Sequence, residues 1–267
     1  MNNQEYFELN KQSWDQRTRA HADSSFYDND SFLKGRNTLS KAEIATLGDV
    51  SGKSIIHLQC HFGQDTMSLA RMGASTIGID FSGEAIKLAR QLNEQLGLNT
   101  RFIECNVLDT LSHVNETFDI VFVSFGATCW LPELEPWAKI VSTLLKPGGF
   151  LYYHEFHPTF YLIDEKTKLI GYPYFNTGAM VEESSSSYTD NAENLDLKEV
   201  FWSHSMSELI MSLLNVGLHL DLINEYDFSP YNCFENMEER APREYVMEIN
   251  GIRLPHTLEL VASKPLG

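Results

Sequence analysis

With 267 residues, 43% of them hydrophobic and 12% aromatic, the chain can bury a full core and has the length of one α/β domain with additions or of two small domains. Its 20 basic and 37 acidic side chains give a formal charge of −17, which argues against unaided binding to nucleic acid or to an anionic lipid surface. The first twenty residues hold no apolar signal segment, and no run approaches the ~18–20 apolar residues of a membrane span, so a cytoplasmic protein without membrane contact is expected.

Residues 1–38 are polar but carry spaced aromatics, among them Tyr6, Phe7, Trp14, Phe26, Tyr27 and Phe32. Tyr6, Asn10 and Trp14 lie four apart and would share one helix face. Two readings stand for this extension: a helix packed on the domain, or a lid that closes over a cofactor with Trp14, Phe26 or Tyr27 against it. Ser40 followed by Glu43 fits a capping box, and Gly48 stops the short helix it opens. The core therefore begins near residue 39.

Ser54 to Ser82 organises the chain. An apolar run, Ile55 to Leu58, enters a loop ending in Gly63, then a helical stretch, then a second apolar run closed by Asp80. A strand–turn–helix–strand unit with an acid at the tip of its second strand is how α/β sheets hold an adenosine ribose. Ala85, Ile86, Ala89, Leu92 and Leu96 follow helical spacing up to Gly97. Arg101 to Cys105 is a short strand ending in Asn106-Val107, and residues 118–125 form an apolar strand buried on both faces. A helix over about 133–145, the KPGG turn at 146–149 and the strand FLYYHEF complete the alternation. Four strand–helix units imply a Rossmann-like, mostly parallel sheet with helices on both faces.

Residues 157–204 break that rhythm with a serine run and six carboxylates between Glu182 and Glu199 against one lysine. The stretch reads as an insertion after the fifth strand, with an antiparallel hairpin as one form and a substrate lid as its use. Residues 205–267 supply a closing helix, capped by Ser205 and Glu208, and closing strands. The whole chain is expected to be a single domain. Cys60, Cys105, Cys129 and Cys233 are dispersed, without a C-x-x-C pair, and read as reduced, mostly buried thiols rather than a metal site.

From Lys53 to Phe156, and more loosely from Ser205 to Lys264, the chain resembles the class I S-adenosylmethionine-dependent methyltransferases, in particular a small-molecule branch whose loop reads HLQCHFG. The resemblance implies seven strands with the last antiparallel, and S-adenosyl-L-methionine lying across the carboxyl ends of the first strands. In the family motif D-x-G-x-G-x-G, His57 stands for the acid, Gln59 and His61 for the first two glycines, and Gly63 is kept. Gln59, Cys60, His61 and Gly63 are thus expected near the methionine part, with Gln59 meeting its amino or carboxylate group; His57 reads as a hydrogen-bonded core histidine. By the same resemblance Asp80 accepts both ribose hydroxyls, Phe81 covers adenine, Asn106 and the Val107 amide meet its edge, and Ser124 lies near the sulfonium. Trp14 and Tyr27 would close over the cofactor.

Methyl transfer from a sulfonium needs alignment, exclusion of water and at most one proton removal. Glu155 and His157 are expected to share a face of the fifth strand near the pocket mouth as base candidates, or else only to line a cavity with Trp130 and Tyr153. No dehydrogenase G-x-G-x-x-G and no Walker loop is present. An NAD-linked oxidoreductase using the same acid, or a non-catalytic S-adenosylmethionine-binding protein, are the alternatives. The sequence leaves open the acceptor, the methylated atom and the oligomeric state.

Overall fold

The structure is a computed structural model and describes residues 2–164, 167–190, 192–234 and 237–267. The chain opens with helices α1 (Asn3–Ala22), α2 (Asn29–Leu33) and α3 (Lys41–Leu47). The alternating core follows as β1 (Ser54–Leu58), α4 (Gln64–Arg71), β2 (Ser75–Asp80), α5 (Gly83–Gln95), β3 (Arg101–Glu104), β4 (Phe118–Ser124), α6 (Leu134–Leu144) and β5 (Leu145–Phe156). The hairpin β6 (Met180–Ser186) and β7 (Glu193–Phe201) precedes α7 (Met206–Asn215) and β8 (His219–Tyr226). Two short hairpins, β9 (Glu238–Ala241) with β10 (Glu244–Val246) and β11 (Glu248–Ile249) with β12 (Ile252–Arg253), lead to β13 (Thr257–Ser263).

Seven strands form one sheet in the order β3-β2-β1-β4-β5-β13-β8, and β13 runs antiparallel to both its neighbours. This is the expected Rossmann-like sheet with its last strand reversed. Side-chain alternation divides the central strands between two layers. Ile56, Val121, Leu151 and Tyr153 pack with Trp137 and Val141 of α6 and Leu213 of α7, while Ile55, Ile120 and Tyr152 face Leu39, Leu47 and Leu69 on the other side. One boundary differs from the sequence expectation: β5 already begins at Leu145. Its pairing with β4 jumps from Phe118↔Leu145 to Ile120↔Phe150, so the KPGG turn is a bulge within the strand rather than a turn before it.

The insertion does contain an antiparallel hairpin, β6 with β7, and α1 is fastened to it. Asn10, fully buried, donates to the Val200 carbonyl at 2.7 Å and accepts from the Val200 amide at 2.8 Å, satisfying an edge position of β7 as another strand would. Arg17 Nε donates to Glu199 Oε1 at 2.7 Å, and Ser13 donates to the same oxygen at 2.9 Å. A charge this buried is tolerated because its partner and hydrogen bonds are in place.

Glu155 and His157 do not fit the role of base at the pocket mouth. Glu155 is 1% exposed, and its two oxygens accept from the amides of Gly126 at 2.5 Å, Ala127 at 2.6 Å and Phe156 at 2.7 Å. The carboxylate is the anchor of the loop after β4. His157 is held by Thr159 Oγ1 at 2.7 Å and by Glu225 Oε1 at 2.8 Å on β8. In both cases the side chain is occupied by the fold.

Two substitutions test these anchors. Arg17→Ala leaves the Glu199 carboxylate buried and unpaired, and is expected to cost about 3 kcal/mol or more in urea unfolding; an unchanged midpoint would contradict the anchoring. Glu155→Gln turns an NH2 toward backbone donors and is expected to lower stability by about 1–3 kcal/mol. Full stability with lost turnover would instead return Glu155 to catalysis.

Candidate functional site

The loop from β1 to α4 takes the conformation of a glycine loop without its glycines. Gln59, His61 and Gly63 have φ of 58°, 51° and 73°. A left-handed backbone costs a non-glycine residue roughly 1–2 kcal/mol, so the contacts that hold Gln59 and His61 must offset it. The His61 amide donates to Asp80 Oδ2 at 2.8 Å and the Cys60 amide to the Ile79 carbonyl at 2.8 Å, tying the loop to the end of β2. Gly63 alone is sterically obligatory: a Cβ there would fall 2.3 Å from the Phe102 ring.

Asp80 also accepts from the Ser82 amide at 2.9 Å through Oδ1. The helix-capping role that Asp80 could have played belongs to Ser82, which accepts from the Ala85 amide at 3.1 Å. Burial pushes the Asp80 carboxyl up to about 6, against the lowering effect of its amide donors. Asn106 Oδ1 accepts from the Leu108 amide at 2.9 Å and caps the turn that begins at Val107.

Two adjoining cavities lie at this end of the sheet. The smaller, about 90 Å³, is lined by Asp80, Phe81, Asn106 and Val107, under Phe7, Trp14 and Trp130. The larger, about 850 Å³, runs from Cys60, Gly63 and Ser124 past the β6–β7 turn to Tyr231 and Arg243. Tyr27, Gln59, His61, Phe125 and Tyr188 line both and form the partition. All eleven residues expected near the cofactor therefore border one cavity or both, and neither Glu155 nor His157 borders either. Sequence reasoning missed Phe125, Tyr188, Arg36, Asp65 and Arg243; Phe125 follows the tip of β4 directly, while the others lie on a loop, a helix start or the insertion, where no strand-tip pattern marks them.

One member of the partition, His61, belongs to a hydrogen-bonded histidine network. His61 Nε2 lies 3.1 Å from His21 Nδ1, and His21 Nε2 lies 2.9 Å from Ser187 Oγ, which also accepts from Arg17 at 2.5 Å. His61 Nδ1 is buried without a partner. Burial lowers His21 to about 3 and moves His61 well below its ordinary 6.5, with the His21 and Arg17 charges adding to the effect. His57, also lowered by burial to about 4, is a core residue between Thr66 Oγ1 at 2.8 Å and Ser124 Oγ at 3.2 Å.

The donor set fits the cofactor that the resemblance implies. Asp80 retains acceptor capacity beyond its two amide bonds. Gln59 donates to the Ala127 carbonyl at 2.7 Å, which leaves Oε1 a buried acceptor without a partner, suited to an ammonium. Sites for small molecules usually measure ~300–1,000 Å³, so a whole cofactor requires the smaller cavity to open into the larger across the partition.

A sequence model of the family described as "Methyltransferase domain" matches residues 55–149. The ubiquinone biosynthesis O-methyltransferase of Coxiella burnetii is 26% identical over 188 residues, covering 67% of this chain and 73% of that protein. Methyltransferase phqN of Penicillium fellutanum is 33% identical over 101 residues, 37% of this chain, and the match spans only 30% of its length. Among solved structures, an S-adenosylmethionine-dependent methyltransferase from Clostridium acetobutylicum shares the fold with a TM-score of 0.58 at 15% identity, covering 92% of this chain and 94% of that one. The matched domain is a methyltransferase domain, which removes the ground for the NAD-linked alternative. With its reversed last strand and the acid at the tip of β2, the chain has the fold of S-adenosylmethionine-dependent methyltransferases, and residues 55–149 match a methyltransferase domain.

Proposed function

We propose that the chain methylates an oxygen of a small molecule held in the larger cavity, with S-adenosylmethionine in the smaller one and across the partition. The observation that carries this reading is the meeting of the two cavities at Gln59 and His61, beside the tips of β1 and β4. The Coxiella relative is named for O-methylation, and an oxygen nucleophile is the kind that gains most from a nearby proton acceptor.

Asp80 would accept the ribose hydroxyls, Phe81, Asn106 and Val107 would border adenine, and Gln59 Oε1 would take the amino group. Cys60 and Gly63 would bring backbone close to the methionine part, with Ser124 beyond them. When bound, the cofactor supplies an electrophilic methyl group on a sulfonium, with a neutral leaving group. Trp14 and Tyr27, held by α1 and the segment after it, exclude water. The β6–β7 hairpin, tied to α1 through Asn10 and Arg17, completes the lid.

In this reading His61 takes the proton of the acceptor hydroxyl at Nδ1. With Ser187 Oγ accepting from both Arg17 and His21, His21 Nδ1 accepts from His61 Nε2, which leaves Nδ1 of His61 as a free lone pair. Burial keeps that ring neutral at neutral pH, as a base must be. A cytoplasmic setting belongs to the same reading, supported by the free, buried thiols of Cys60, Cys105 and Cys129.

Calorimetric titration with S-adenosylhomocysteine tests the cofactor site. Binding is expected for the wild type and lost by more than about 100-fold in Asp80→Ala with the fold retained, since two charge-assisted hydrogen bonds go; no wild-type binding refutes the assignment. Because the ionised Asp80 is the better double acceptor, affinity should fall as pH drops through about 6, and a flat profile between pH 5 and 8 would show that Asp80 does not titrate in the site. Nitrogen-15 NMR of the His61 ring should show it neutral at pH 6.5; a protonated ring there would exclude it as the base.

A further inference from the structure

The larger cavity holds two arginines, Arg36 before α3 and Arg243 in the β9–β10 turn. In a chain with 37 acidic and 20 basic side chains, Arg17, Arg240 and Arg253 each meet a carboxylate, whereas Arg71 and Arg90 donate to backbone carbonyls and lie outside the cavity. Among the described residues Arg36 and Arg243 pair with no carboxylate. Arg36 donates through Nη2 to the Tyr27 and Asp28 carbonyls and to Gln64 Oε1, and its Nε is buried without a partner. Arg243 donates through Nη1 to the Thr38 carbonyl at 2.6 Å. All of these acceptors are neutral.

The acids of the same cavity are turned to other tasks. Both oxygens of Asp190 accept from the Ser25 amide, at 2.9 and 3.1 Å, and Asp65 Oδ2 lies 3.4 Å from Ser124 Oγ. Burial lowers the Arg36 pKa, and the like charge of Arg243 adds to this against the pull of Asp28 and Asp65. Two guanidinium groups brought together by separate parts of the chain repel until an anion lies between them, and their planar forks suit carboxylate or phosphate oxygens. Beside them Phe26, Tyr188 and Tyr231 make a mutually packed aromatic wall, with ring centroids 5.1–5.4 Å apart.

We infer that the methyl acceptor is an anion with a flat ring, an aromatic carboxylate or phosphate ester whose oxyanion lies between Arg36 and Arg243 and whose ring lies on that wall. The inference rests on the larger cavity being the acceptor site. In a protein of charge −17, these two guanidinium groups are the fixed positive charges that line this cavity.

Calorimetry with 4-hydroxybenzoate, phenyl phosphate and the neutral 4-hydroxybenzamide tests it, on the protein alone and saturated with S-adenosylhomocysteine. At least one anion should bind about tenfold or more tightly than the amide, because a hydrogen bond to a charged group is at stake. Which anion binds distinguishes carboxylate from phosphate recognition. Arg243→Gln should weaken that anion by about tenfold while leaving S-adenosylhomocysteine affinity in place, and Arg243→Lys should restore part of it, since a point charge replaces a fork. Arg243 is exposed, so neither substitution endangers the fold. The inference is overturned if the amide binds as well as the anions, if neither anion binds, or if Arg243→Gln changes nothing. Loss of S-adenosylhomocysteine binding with anion binding intact would instead count against the cofactor assignment.

Discussion

The site depends on one carboxylate. Asp80 receives the His61 amide on one oxygen and the Ser82 amide on the other, so it fixes at once the loop after β1 and the entry to α5. That loop carries two side chains in left-handed backbone, a conformation that would relax without an acceptor for its amide. Because Gly63 is pressed against Phe102 on β3, the loop cannot settle elsewhere. The result is a rigid rim on which Gln59 and His61 are presented at the boundary of two cavities.

Replacing two glycines changes what that rim can do. A glycine loop offers only backbone amides to a ligand. Here the same backbone path also carries an amide side chain with a free buried acceptor and an imidazole with a free buried nitrogen. The imidazole is joined through His21 to Ser187 of the hairpin, so the loop, the N-terminal helix and the insertion meet in one hydrogen-bonded unit. Buried networks of this kind are stiff when satisfied and intolerant of partial loss.

Burial decides the chemistry of the ionisable groups. His21, His57 and His61 are all moved toward neutrality by desolvation, so the aromatic cage of Trp14, Tyr27 and Phe62 around His61 sets its electronic state as well as its position. The two arginines of the larger cavity cannot lose their charge in the same way. They remain the positive features of a site within an acidic molecule, while Glu155, which looked available on its strand, is consumed by the amides of the loop after β4.

The sequence by itself determined the sheet and the strand-tip residues. Continuous apolar runs and helical spacing are local patterns, and Asp80, Phe81, Asn106 and Val107 lie at or just after the ends of strands that those patterns locate. The antiparallel hairpin of the insertion was legible only as one form that a polar, carboxylate-rich stretch could take. Tertiary structure alone decided the rest. That Glu155 turns to Gly126 and Ala127 depends on where a neighbouring loop folds back. That Asn10 and Arg17 lock onto β7, residues 190 and 182 positions away, has no signature in either segment. The pairing of Arg36 with Arg243 across one cavity is likewise a product of chain return, since a sequence records each charge but not the carboxylate that it fails to meet.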